Sequence, residues 1–111
     1  MKFSIIIPCK EIDNYVEECI SNCLNLNHNN YEIILLPDEK TNKKYKKTKI
    51  MATGRVKPSI KRNMAAKESK ADVLAFIDSD AYPDKNWLKN AEKYLKKEKI
   101  GSERQETSWK Q

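Results

Sequence analysis

Glycine is scarce, with two residues in 111 beside four prolines and 39% apolar residues. That composition excludes collagen-like and low-complexity chains. Cysteine is scarce too. Cys9, Cys19 and Cys23 cannot all pair, which argues against a disulfide scaffold, and their spacing matches no zinc pattern with a second ligand pair. Cys19 and Cys23 stand at i and i+4 of an expected helix and read as small buried apolar residues. The single histidine, His28 in "NLNHNN", reads as a loop residue rather than a ligand. No apolar run reaches membrane-spanning length, and "FSIIIP" is too short for the apolar part of a signal peptide with a cleavage site behind it. The expected location is the cytoplasm.

Charge is what the sequence has in quantity: 34% of its residues, 22 Lys and Arg against 16 acids, for a net +6. This balance favours anionic partners, whether nucleotide phosphates, an anionic membrane surface met from one side, or nucleic acid, without choosing among them. A chain of this length builds one small domain around one core.

"FSIII", residues 3–7, is a continuous apolar run closed by Pro8, the pattern of a strand buried on both faces. In "DNYVEECISNCLNL" the apolar positions Val16, Cys19, Ile20, Cys23 and Leu24 keep helical spacing, with Asp13 or Asn14 as the cap. "YEIILL", 31–36, is a second buried strand ended by Pro37. Five lysines crowd "TNKKYKKTK", and a short strand is expected in 49–53 before Gly54 turns the chain. Pro58 and Ser59 open a helix with Ile60, Met64 and Ala65 as its buried stripe. "DVLAFI", 72–77, is a further strand. Asp84 then caps a helix with Trp87, Leu88, Ala91, Tyr94 and Leu95 on one face. The end, 98–111, is polar and aperiodic and is expected as a frayed tail, with no role assigned to Trp109. Alternating buried strands and amphipathic helices predict an α/β three-layer sandwich with a mostly parallel sheet of order 3-2-1-4.

Three groups of acids then fall at carboxyl ends of strands: Glu11 after the first, Asp38 and Glu39 after the second, Asp78 and Asp80 after the fourth. In an open parallel sheet those ends share one edge, where ligands bind. Asp78 and Asp80 in "FIDSDAYPD" would lie roughly 7 Å apart on an extended chain and repel by roughly 2 kcal/mol at an effective dielectric of about 20. Mg²⁺ or Mn²⁺ would cancel that repulsion, because either takes one or two carboxylates plus substrate phosphates. "DSD" before "AYPD" is equally good turn chemistry.

"IIIPCKE", "EIILLPDE" and "SIKRNMAAKESKADVLAFIDSDAYPDKNWL", in this order and spacing, resemble the nucleotide-binding half of the inverting family 2 glycosyltransferases, which have the GT-A fold. The resemblance covers residues 2 to about 97, so 1–97 is expected as a partial nucleotide-sugar-binding domain. It implies that Pro8, Glu11 and Asp38 line the nucleoside pocket and that Arg62, of the "RN" pair, lies near the nucleotide. Asp78 would approach the ribose or metal, and Asp80 would bind the metal, Mn²⁺ or Mg²⁺, on the diphosphate. UDP-sugars are the family's commonest donors, and no nucleic acid is expected. The chain departs from the family at Cys9, Lys10 and Glu11, where an aromatic residue and Asn are frequent, and at Pro37 to Lys40, where two acids and Gly-Ser are frequent. The family's acceptor half, with its general-base carboxylate, would lie beyond residue 97, and 98–111 offer no counterpart. A donor-binding half is therefore expected, truncated or working with a partner chain, and prone to self-association.

Two other readings fit parts of the sequence. "LAFIDSDAY" is also similar to the haloacid-dehalogenase phosphatases, in which Asp78 would be the nucleophile and Asp80 the acid and base. Alternatively, the lysine run 43–49 with Tyr45 would make a non-enzymatic basic module for nucleic acid or an anionic membrane.

Overall fold

The computed structural model describes residues 1–97 and 104–109. Its elements follow the chain as β1 (Phe3–Pro8), α1 (Asn14–Leu24), β2 (Tyr31–Leu36), β3 (Thr48–Ile50), α2 (Pro58–Glu68), β4 (Val73–Phe76), α3 (Trp87–Lys97) and β5 (Gln105–Ser108). All strands pair in parallel, in the order β3-β2-β1-β4-β5. The expected order 3-2-1-4 is present and gains one strand at the β4 edge.

Side chains alternate across a strand, and the apolar runs of β1 and β2 therefore feed two cores. Ile5, Ile7, Ile33 and Leu35 pack with Val16, Cys19, Ile20 and Cys23 of α1 and with Leu88 and Leu95 of α3. Ile6, Ile34, Leu36 and Leu74 pack on the other face with Ala65 of α2. The result is the three-layer sandwich. Asp13 caps α1 by accepting Val16 N at 3.0 Å, and Pro58 stands in the first turn of α2.

Three local expectations are corrected. The buried stripe of α2 holds Lys61, Ala65 and, at its C-cap, Ser69, whereas Ile60 is 45% exposed. Asp84 does not cap α3 directly: its carboxylate accepts Asn86 N at 2.8 Å, shaping the turn ahead of the helix. The tail is not frayed where it is described. Gln105–Ser108 pair with Val73–Phe76, Trp109 N donates to Phe76 O at 2.9 Å, and the Trp109 ring meets Trp87 edge-on with centroids 6.1 Å apart.

Gly54 fixes how the chain leaves β3. Its φ is +76°, and its N–H donates to Asp38 O at 2.8 Å. A Cβ there would touch nothing within 4 Å, so only backbone conformation asks for glycine. Gly54→Ala is therefore expected to cost about 1–2 kcal/mol, the penalty of a left-handed L-residue, read as a lower urea midpoint with unchanged slope; equal stability would show that the turn relaxes freely.

Candidate functional site

Parallel pairing brings the ends of β1, β2 and β4 to one edge of the sheet. The β1–β2 ladder runs past its last strand residues there: Cys9 N donates to Leu36 O at 3.1 Å and Asp38 N to Lys10 O at 2.9 Å. Asp38 is thereby held at its N–H by the first loop and at its carbonyl by Gly54. Its carboxylate Oδ1 accepts from Lys61 Nζ at 2.6 Å. The same ammonium donates to Cys9 O at 2.6 Å and Leu36 O at 3.0 Å.

Two neighbouring hollows open on this edge. The larger, about 1130 Å³, is walled by the loop Pro8–Ile12, by Pro37 to Thr41 and by Arg55 to Pro58, with Lys61 at its base. The smaller, about 440 Å³, contains Arg62, Asp78, Asp80 and Tyr15. Pro8, Pro58 and Ser79 border both. The six residues singled out from the sequence divide between the hollows: Glu11 and Asp38 in the first, Arg62, Asp78 and Asp80 in the second, Pro8 on the shared wall.

Asp78 and Asp80 do not sit on an extended strand. Ala81 N donates to Asp78 O at 3.1 Å, closing a turn over 78–81. Among the described residues neither carboxylate accepts a hydrogen bond from the turn, and both side chains are exposed. The nearest counter-charge to Asp78 is Arg62, with Nη2 3.8 Å from Oδ1. At such exposure the pair contributes little to stability and leaves both groups available. The described residues contain no cluster of three or more acidic, histidine or cysteine side chains able to enclose a cation.

Lys61 is the residue that the hydrophobic pattern missed. A lysine on an amphipathic helix is ordinarily placed in solvent, and the signal that could have found it is the spacing Lys61, Ala65, Ser69. Small residues at i+4 and i+8 let that face approach the sheet closely enough for a lysine to thread between helix and strands. Three of the five lysines in the run 43–49 have partners within the chain. Lys47 lies over the Tyr31 ring at 4.1 Å, Lys49 pairs with Glu68, and Lys43 approaches Glu17 at 3.8 Å.

Residues 4–107 match the family Glycosyl transferase family 2. The chain belongs to that family. Among its relatives, an uncharacterized glycosyltransferase of Haemophilus influenzae is 31% identical over 90 residues, covering 71% of this chain and 36% of that protein. The poly(ribitol-phosphate) beta-N-acetylglucosaminyltransferase TarS of Staphylococcus aureus is 27% identical over 108 residues, covering 86% of this chain and 19% of TarS. The crystal structure of TarS 1–349 in complex with UDP-GlcNAc superposes with a TM-score of 0.73 at 25% identity, over 87% of this chain and 32% of that one. The family 2 domain thus spans roughly a third or less of the proteins it matches. Its fold is the Rossmann-like GT-A arrangement that the resemblance implied, and family membership overturns the phosphatase reading of Asp78 and Asp80. No helix among the described residues is long and apolar enough to cross a membrane.

The site generates two predictions. Asp80→Asn in EDTA is expected to melt at or slightly above the wild-type temperature, because it removes a repulsion and no cap; a capping role would instead cost about 0.5–2 kcal/mol, which in a domain of this size is a drop of several degrees. Burial pushes the Cys9 thiol up to about 11, against a smaller opposing effect of Lys61. Cys9 stays a neutral thiol near pH 8, so it is expected to alkylate with iodoacetamide at least about tenfold slower in the folded protein than in urea, as followed by peptide mass analysis.

Proposed function

We propose that this family 2 domain binds the nucleoside diphosphate of a sugar-nucleotide donor, with a UDP-sugar as the donor class. The nucleoside occupies the larger hollow against Pro8, Glu11 and Asp38, and the diphosphate lies over the smaller one beside Arg62, Asp78 and Asp80. The observation that carries this reading is the pair of exposed carboxylates that accept no hydrogen bond from the described residues, at the strand end adjoining the hollow that contains Asp38. The TarS complex with UDP-GlcNAc supports the choice of ligand class.

The donor set fits a divalent cation of the Mg²⁺ or Mn²⁺ type. Asp13, the third acid lining this hollow, is committed to capping α1, so the two carboxylates leave coordination positions for phosphate oxygens and water, which such ions prefer over an all-protein cage. Asp80 and Asp78 would hold it, and the ion when bound neutralises the charge on the diphosphate. Arg62 can turn from Asp78 to a phosphate oxygen at little cost, since its present ion pair is exposed.

The reaction proposed for the assembled enzyme is inverting transfer of the sugar to an acceptor hydroxyl. That step needs a base to deprotonate the hydroxyl, worth typically 10²–10⁴-fold, and this chain's contribution is donor capture and orientation.

Calorimetric titration with a panel of nucleoside diphosphates, with Mn²⁺ and with EDTA, tests the reading. One diphosphate, expected to be UDP, binds in Mn²⁺ and at least about tenfold more weakly in EDTA, and Asp80→Asn loses the metal-dependent part. Silence across the panel, or a full metal-dependent response in Asp80→Asn, would overturn it.

A further inference from the structure

Lys61 is 3% exposed, although it carries a charge that water solvates strongly. An ammonium has three protons, and here three acceptors take them: the carbonyls of Cys9 and Leu36 and the Oδ1 of Asp38. The backbone of Asp38 is already fixed from both sides, by Lys10 O and by Gly54 N. Rotation of its side chain is the freedom that remains, and Lys61 removes it.

Stability alone is a weak reason for this arrangement. A buried ion pair is often replaceable by a well-packed apolar side chain with no loss of folding free energy, and the face of α2 around Ala65 is otherwise apolar or small. The two carbonyls that Lys61 also binds terminate β1 and β2, the strands whose loops wall the larger hollow. One ammonium therefore sets both the orientation of Asp38 and the spacing of the walls beside it.

We propose that Lys61 is a positioning residue for nucleotide recognition: it engages Oδ1 of Asp38 and leaves Oδ2 as the acceptor for an N–H or hydroxyl of the nucleoside. The inference rests on the donor-binding reading above. Lys61 acts through Asp38 and through the loop at Cys9, without touching the diphosphate.

The test begins with the wild-type protein labelled with ¹⁵N at lysine Nζ. The Lys61 ammonium, shielded from exchange by burial, is expected to shift on titration with UDP and Mn²⁺ along the same saturation curve that calorimetry gives. Pyrophosphate with Mn²⁺, which lacks the nucleoside, is expected to leave it unmoved. Lys61→Met is expected to weaken UDP binding at least tenfold while changing Mn²⁺-pyrophosphate binding less than twofold. In an Asp38→Asn background the same substitution should cost less than a further twofold. UDP binding without movement of the Lys61 resonance, or wild-type UDP affinity in a folded Lys61→Met protein, overturns the inference while donor binding stands. A wild type silent to every nucleoside diphosphate of the panel takes both down, and where another diphosphate binds in place of UDP the same titrations are run with it. Because the resonance is read in the wild type, the inference is decided even where Lys61→Met fails to fold.

Discussion

Strand β1 is paired on both sides, to β2 and β4, and covered on both faces, with Phe3, Ser4, Ile5, Ile6 and Ile7 all fully buried. A strand so enclosed has one direction and one register. A one-residue slip would exchange the side chains between the α1–α3 core and the α2 core, and every isoleucine would face the wrong helix. Because both neighbours run parallel to it, the three carboxyl ends must emerge together. The site depends on this constraint before any polar contact is considered, since Pro8, Asp38 and Asp78 follow the last buried residue of three adjacent strands.

The buried polar side chains between α2 and the sheet, Ser4, Lys61 and Ser69, are few and paired. Ser4, in the middle of the apolar run of β1, meets Ser69 at the C-cap of α2 and Glu32 on β2, each at 2.6 Å. Lys61 meets three acceptors one turn from the other end of the same helix. The two contacts pin α2 at both ends of a face whose middle is Ala65. An unpaired buried group at either end would cost about 1–3 kcal/mol or more, so these contacts define where the helix lies along the sheet as well as how close it comes. Placement of Lys61 relative to Asp38 follows from that registry.

Strands β1, β2 and β4 were legible because a parallel sheet covered on both faces needs continuous apolar runs, and few other structures do. Strand β5 was not, since "QETS" has no apolar residue. It is an edge strand whose half-buried positions, Gln105 and Thr107, alternate with exposed Glu106 and Ser108. Period-two alternation written in polar residues carries no hydrophobic signal, and pairing with β4 is what shapes it. Trp109, unassigned from the sequence, is the apolar anchor of this segment through its contact with Trp87. The candidate site was legible in its acids, whose positions follow from strand ends, and illegible in Lys61. Charge reads as solvent-facing until a specific set of acceptors is known, and those acceptors belong to two other elements.

The two halves of the site differ in how much freedom the fold leaves them. Asp38 is fixed at its N–H, its carbonyl and its carboxylate, whereas among the described residues Asp78 and Asp80 project from a turn with one weak ion pair, Asp78 to Arg62. Rigid groups discriminate, because a ligand lacking the complementary donor leaves a buried acceptor unpaired. Exposed carboxylates contribute little discrimination of their own but accommodate a hydrated cation, which keeps several of its own waters. A nucleotide recognised at such a site would be selected at its nucleoside end and retained at its phosphate end. Substitutions in the first hollow should therefore alter which nucleotide binds, and those in the second how strongly any of them does.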